Sequence, residues 1–243
     1  MKLLLPIPLD AAAHNGGRRW LLQCTIGVVA AVGLGLVPPA SAANDEVVPL
    51  NSRFLVAARN LDGPAMERML REGANVNARN RLGETALVVV LKKDRTDLAQ
   101  ALLAAGADVN VAAVNGITPL MAAAYGGHTD MVRILLDKGS AVGATDQLKK
   151  NAMTYAAGEG HTAVVKLLLA RGVDPNAAYE HGLTALMWAA GYGRVETMRA
   201  LLDAGARSDP RDDRGKAAID IARDNNQSAA VTVLESAPRA KAS

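Results

Sequence analysis

A repeat of fixed length constrains this chain more than any other feature. Thr85, Thr118, Asn151 and Thr184 stand 33 residues apart, and so do Gly73, Gly106, Gly139, Gly172 and Gly205. The doublets Leu102-Leu103, Leu135-Leu136, Leu168-Leu169 and Leu201-Leu202 keep the same step. A period of this length means stacked supersecondary units, each unable to bury its apolar faces alone.

One unit can be read residue by residue over 116–139. Thr118 is a helix N-cap, because its hydroxyl accepts a bond from an orphan N–H of the first turn. Pro119 follows at the first helical position, where a missing N–H costs nothing. Leu120, Ala123 and Ala124 give this helix a small apolar face, and Gly126-Gly127 ends it. A second helix carries Met131, Ile134 and Leu135 at helical spacing. Gly139 is placed to be its left-handed stop.

The grammar resembles that of the ankyrin-repeat family. The opening Gly-x-Thr-Pro/Ala-Leu-x-x-Ala-Ala stands at Gly116–Ala124 and Gly182–Ala190. A Gly-His pair recurs as Gly127-His128 and Gly160-His161, and Leu-Leu-x-x-Gly-Ala closes units at Leu102–Ala107 and Leu201–Ala206. The resemblance covers residues 51–236 and implies an all-α solenoid. It would contain about five to six helix–turn–helix repeats joined by short hairpin or loop fingers.

Residues 1–42 read as an export signal. Arg18-Arg19 precede an apolar run from Leu21 to Val37, then Pro38-Pro39 and a small-residue cleavage site, Ala40-Ser41-Ala42. The Arg-Arg-Trp-Leu-Leu run resembles a twin-arginine signal, although Gly17 and Gln23 depart from that pattern; an ordinary Sec signal and an uncleaved anchor are the alternatives. After cleavage a linker over 43–50 leads into the repeats, and 237–243 is a disordered tail. The expected location is the periplasm, with no membrane insertion of the mature chain. The leader holds Lys2, Arg18, Arg19 and Asp10, so without it the 27 basic and 24 acidic residues become 24 and 23. That balance argues against nucleic acid as a partner. Cys24, the one cysteine, lies in the leader.

Individual units depart from the pattern in ways that carry expectations. In the first, Ser52 stands at the Thr position and Phe54 fills a core Leu position. In the second, the consecutive apolar residues Leu87–Leu91 are followed by Lys92, Lys93 and Arg95, read as a solvated basic turn. In the fourth, Lys149-Lys150-Asn151 replaces the Gly-x-Thr opening, which predicts a looser turn and a flexible point. The last unit loses the Thr cap. Its second helix is expected to carry Asn225, Asn226, Gln227 and Thr232 on a polar terminal face.

The residues offer no chemistry. No metal-ligand spacing, phosphate loop or nucleophile set is present, so no metal, no cofactor and no catalysis are expected. His128 and His161 occupy the family's histidine position, which implies that they brace turns between repeats. Aromatic residues make up only 3% of the chain, and those after the leader, Phe54 apart, gather in or beside the third to fifth repeats: Tyr125, Tyr155, Tyr179, Trp188 and Tyr192. Tyr155 and Trp188 share one repeat position, which in the family faces the concave groove. Tyr179 precedes the fifth repeat beside His181, where the family places a finger. Leu, Ala and Val already fill the core positions. The aromatics are extra to that pattern and mark a contact surface. Ala122, Gly126, Gly158 and Gly191 would form its small-residue floor, and the finger tips Asn80-Arg81, Val114-Asn115, Asp146-Gln147, Glu180-His181 and Asp212-Asp213 its polar edge. The expected function is binding of a partner protein by a monomer through Tyr125, Tyr155, Tyr179, His181, Trp188 and Tyr192. The alternatives are a periplasmic small-molecule or peptide binder or enzyme accessory protein, and a scaffold or toxin-neutralising protein that does not depend on the aromatics.

Overall fold

A computed structural model describes residues 48–237. The leader and its cleavage site, most of the 43–50 linker and all but Ala237 of the tail lie outside the described residues. Within them twelve α-helices form six antiparallel pairs, so the expected five to six repeats resolve into six. The first member of each pair is α1 (Leu50–Asn60), α3 (Ala86–Leu91), α5 (Pro119–Tyr125), α7 (Ala152–Glu159), α9 (Ala185–Gly191) and α11 (Ala218–Asp224). The second is α2 (Gly63–Arg71), α4 (Thr96–Ala104), α6 (Thr129–Asp137), α8 (Thr162–Ala170), α10 (Val195–Asp203) and α12 (Ser228–Ser236). Successive first helices pack on one another along the whole row, as do α6, α8, α10 and α12 along the second. One apolar core runs through all six pairs, from Phe54, which is fully buried, to Leu234. No described helix is long and apolar enough to cross a membrane.

The caps are those that the period predicts. Thr85, Thr118 and Thr184 accept from the backbone N–H groups of Val88, Met121 and Met187 at 3.4, 3.2 and 3.3 Å. Each such cap contributes about 1 kcal/mol. Gly139 ends the α6 turn at φ 84°, in the left-handed region that a Cβ disfavours. At the first repeat the period misleads. The chain enters α1 at Leu50, with Pro49 as cap, so Ser52 lies inside the helix and caps nothing. The carbonyl of Pro49 accepts the Ser52 and Arg53 amides instead.

The loops between pairs are fingers with a single antiparallel bridge at most, Arg79 to Thr85 and Ala178 to Thr184. Three are closed by a side chain at one repeat position. Asn80 Oδ1 accepts the Leu82 and Glu84 amides, Asp146 Oδ1 the Lys150 amide, and Asp212 Oδ1 the Arg214 and Lys216 amides, at 2.8–3.0 Å. This corrects the looser turn expected at the fourth repeat. Lys149 takes the left-handed conformation usual for glycine, at φ 54°. Asn151 accepts from the Thr154 amide at 3.0 Å, and Thr154 Oγ1 accepts from the Asn151 amide at 2.9 Å, a complete capping box. The finger keeps its shape at the cost of one strained lysine. At the last repeat Ala217 cannot cap, and only the reverse half of the box survives, Asp220 Oδ2 accepting the Ala217 amide at 3.0 Å. Asn225, Asn226 and Gln227 sit in the turn between α11 and α12, not on the terminal helix as expected. α12 instead presents Ala229, Thr232, Glu235 and Ser236 to solvent.

Two ladders tie neighbouring repeats outside the helices. Finger tips bond through the Leu82, Asn115 and His181 carbonyls, which accept from Val114, Gln147 and Asp213 at 2.9 Å. Nearer the helix ends, Asn77, Asn110 and Asn176 accept through Oδ1 from the amides of Asp108, Ala141 and Arg207 at 2.8–2.9 Å. Both ladders miss the same junction. Gly143 stands where the second needs asparagine, and no bond joins Leu148 to Glu180 in the first.

Candidate functional site

The repeat places four of the six expected contact residues together. Tyr155 and Trp188 occupy the middle of α7 and α9, Tyr125 ends α5, and Tyr192 caps the end of α9. Tyr125 meets Tyr155 edge to face at 5.9 Å between ring centres, and Trp188 stacks on Tyr192 at 6.2 Å, with planes 10° apart. Both are favourable aromatic geometries. Between the pairs, Lys150 Nζ lies 5.7 Å from the Tyr155 ring centre and 4.5 Å from that of Trp188. The lysine joins the two pairs into one surface. Tyr155, Trp188 and Tyr192 are half-buried, while Tyr125 is 53% exposed.

Asp146 anchors this surface. Tyr155 donates its phenol proton to Asp146 Oδ2 at 2.6 Å, while Oδ1 holds the finger turn. Burial, and then the Asp146 carboxylate, push the Tyr155 phenol far above its ordinary value, so it remains a donor. Burial also raises Tyr192, with the Glu159 carboxylate adding and Arg194 opposing. The backbone beneath is braced from the next repeat, as expected of the histidines. His161 Nε2–H donates to the Tyr125 carbonyl at 2.7 Å, and His128 Nε2 meets Asp94 Oδ1 at 3.0 Å. In the fifth repeat Arg194 takes the same place and donates from Nε to the Gly158 carbonyl at 2.9 Å.

Tyr179 and His181 stand apart from the cluster. Tyr179 opens the finger before α9; burial raises its phenol, and the Asn151 side chain beside it partly offsets this. His181 is the exposed tip, in left-handed conformation at φ 58°, with Nδ1 3.4 Å from Asp213 of the next finger. Among the described residues no hydrogen bond or ring pair joins either to the four-ring surface. The expected floor is also narrower. A Cβ at Gly126 would lie 2.6 Å from His128 Nε2, so this glycine makes room for the brace. Gly158 does lie under the rings, its absent Cβ 3.7 Å from Tyr192 and 3.8 Å from Trp188.

The edge differs from expectation as well. Leu82, Val114 and Leu148 are 65%, 65% and 57% exposed at the finger tips, so the edge is in part apolar. Asn80 and Asp146 turn inward to hold their fingers, which leaves the residue two places on to point outward. Leu82 and Leu148 occupy one repeat position, a signal available in the sequence. Asp146, expected on the polar edge, instead turns inward, and Lys150 reads as a defect in the turn until the rings are placed beneath it. The basic turn of the second repeat is largely self-neutralised. Lys92 pairs with Glu84 at 2.9 Å and Arg95 with Asp97 at 2.6 Å.

A family profile described as ankyrin repeats (3 copies) matches residues 54–146, 90–179 and 153–241, overlapping windows that span all six helix pairs. The chain belongs to the ankyrin-repeat family. Comparison with curated proteins finds no match. Ankyrin repeats are generally protein–protein interaction modules that bind protein partners. In this ankyrin domain the four rings and Lys150 lie on the row of first helices, at the centre of the stack. Among the described residues no three His, Cys, Asp or Glu side chains converge on a metal position.

Proposed function

We propose that this chain is an exported bacterial ankyrin-repeat protein, without catalytic activity, that binds a partner protein as a monomer through the groove of its third to fifth repeats. The observation that carries the reading is the four-ring surface. Tyr125, Tyr155, Trp188 and Tyr192 add apolar area beyond a core already filled by leucine and alanine; Tyr125 is exposed and the other three are part-exposed. Trp188 and Tyr155 are the central anchors; rigid aromatic side chains of this kind lose little entropy when a partner covers them. Tyr179 and His181 contact the partner from the finger.

Export rests on the leader. Arg18-Arg19, the apolar run Leu21–Val37 and Ala40-Ser41-Ala42 have the order of a cleaved signal, and the mature protein begins at Ala43 in the periplasm. Amino-terminal sequencing of the protein recovered from fractionated cells checks this.

Affinity capture from a periplasmic extract tests the binding reading. The wild type is expected to enrich one protein that a Tyr155→Ala/Trp188→Ala variant of unchanged helicity does not. Measured with that partner, Trp188→Ala costs about 2 kcal/mol of affinity or more. Equal capture by both forms, or unchanged affinity of the folded single variant, refutes the groove as the binding site.

A further inference from the structure

We infer that the segment received by this groove is acidic: an Asp or Glu carboxylate of the partner pairs with Lys150, while an adjoining apolar side chain packs on Trp188. The inference rests on the partner-binding reading above and adds to it the chemistry of what is bound.

The repeat supplies the argument. Glu84, Lys150 and Lys216 occupy one repeat position at the foot of the first helix. In the second repeat the charge is matched eight residues further on, Glu84 by Lys92 at 2.9 Å. In the last repeat Lys216 is matched in the same way by Asp224. In the fourth repeat that second position is Gly158, and among the described residues Lys150 enters no ion pair. The intervening repeats carry Ile117 and Leu183 at the Lys150 position. A single unmatched cation therefore stands between apolar neighbours.

Its own finger does not pair with it. Both oxygens of Asp146 are engaged, one by the Lys150 amide and the other by the Tyr155 hydroxyl. Lys150 instead lies across the Tyr155 and Trp188 rings, which hold the ammonium in place before any ligand arrives. An anion approaching from solvent meets a cation already oriented, over a surface of low polarity that strengthens the pair. A cationic ligand would first have to displace Lys150 from the rings, so the arrangement favours a carboxylate.

The experiment uses the full-length chain and a display library of random peptides. Selected peptides are expected to be enriched in Asp or Glu next to an apolar residue. The best of them is synthesised together with its Asn/Gln counterpart, and calorimetry measures both against the wild type and the Lys150→Met, Lys150→Arg and Trp188→Ala variants. Lys150→Met should weaken the acidic peptide by about tenfold and leave the amide peptide within about twofold, with Lys150→Arg retaining most of the affinity. The inference is overturned if acidic residues are not enriched, if no peptide is selected, or if Lys150→Met binds the acidic peptide unchanged. It is equally overturned if basic peptides are selected and bind more tightly to Lys150→Met, because the rings would then be a cation site that Lys150 occupies. When Trp188→Ala abolishes binding and Lys150→Met does not, the groove stands and the acidic partner falls. When neither substitution matters, the groove reading falls with it.

Discussion

Two buried polar residues show how individual positions set stability in this stack. Ser140 stands at the position held by Ala74, Ala107 and Ala206, is buried, and no protein group bonds its hydroxyl. A buried hydroxyl without a partner costs about 1–3 kcal/mol, so Ser140→Ala should stabilise the fold by about 1 kcal/mol. Urea unfolding at constant m-value checks this, and a loss of stability would show that the hydroxyl is satisfied. Glu84 is the opposite case. Burial raises its pKa, but the bonds from Lys92 and Asn80 outweigh burial and leave the carboxyl below its ordinary value. A carboxylate depressed by folding contributes stability that is complete above the unfolded value, about 4.3, and is lost as pH falls through the lower folded value. Glu84→Gln should therefore destabilise most at neutral pH and least at about pH 3. A difference that grows on acidification would contradict the sign.

At the scale of the helix pair, the brace from His161 to the previous repeat requires Gly127. Gly127 has φ 72°, and a Cβ there would lie 2.5 Å from the His161 ring. Gly127→Ala combines a left-handed alanine with displacement of a ring that holds the Tyr125 carbonyl. It should cost about 2 kcal/mol or more of unfolding free energy, whereas Gly143→Ala, in open space, should not. Equal thermal midpoints for the two variants would remove the brace from the account. Much of this scale is legible in the sequence, because caps, stops and braces each depend on one residue type at one place in the period. The fourth finger is not, because three substitutions compensate one another. Lys149 accepts the glycine conformation, Asn151 replaces threonine as cap, and Thr154 completes the box. The apolar finger edge escapes for a related reason: composition marks Asn80 and Asp146 as tip residues, but their side chains turn inward to hold the backbone. Around the aromatics the repeat position announces Tyr155 and Trp188. Lys150 becomes meaningful only when two rings from different helices are seen beneath it.

Across the whole molecule, stability is the sum of repeat and junction terms, so the weakest junction decides where the stack parts. Outside the helices, both loop ladders are open at one place, between the finger at 140–150 and the finger at 173–183. There Gly143 provides no side chain, Leu148 and Glu180 make no tip-to-tip bond, and Ser140 sits unsatisfied nearby. The first helices there still pack closely, α5 on α7 and α7 on α9, so the rings keep their support while the loops beside them share fewer bonds. The amides of Asp174 and Glu180 accordingly should exchange hydrogen faster than their counterparts Ala141, Arg207, Gln147 and Asp213, each of which has an acceptor. Gly143 has neither positive φ nor any atom within 4 Å of its absent Cβ, so an asparagine fits. Gly143→Asn should accept the Asp174 amide and donate to the Gly172 carbonyl, as Asn176 does for Arg207 and Gly205. Two new bonds and a less flexible unfolded chain should add about 1–2 kcal/mol and slow exchange at Asp174. If exchange at Asp174 is already as slow as at Arg207 in the wild type, or does not change in the variant, the junction is closed by other forces and the stack has no preferred point of parting.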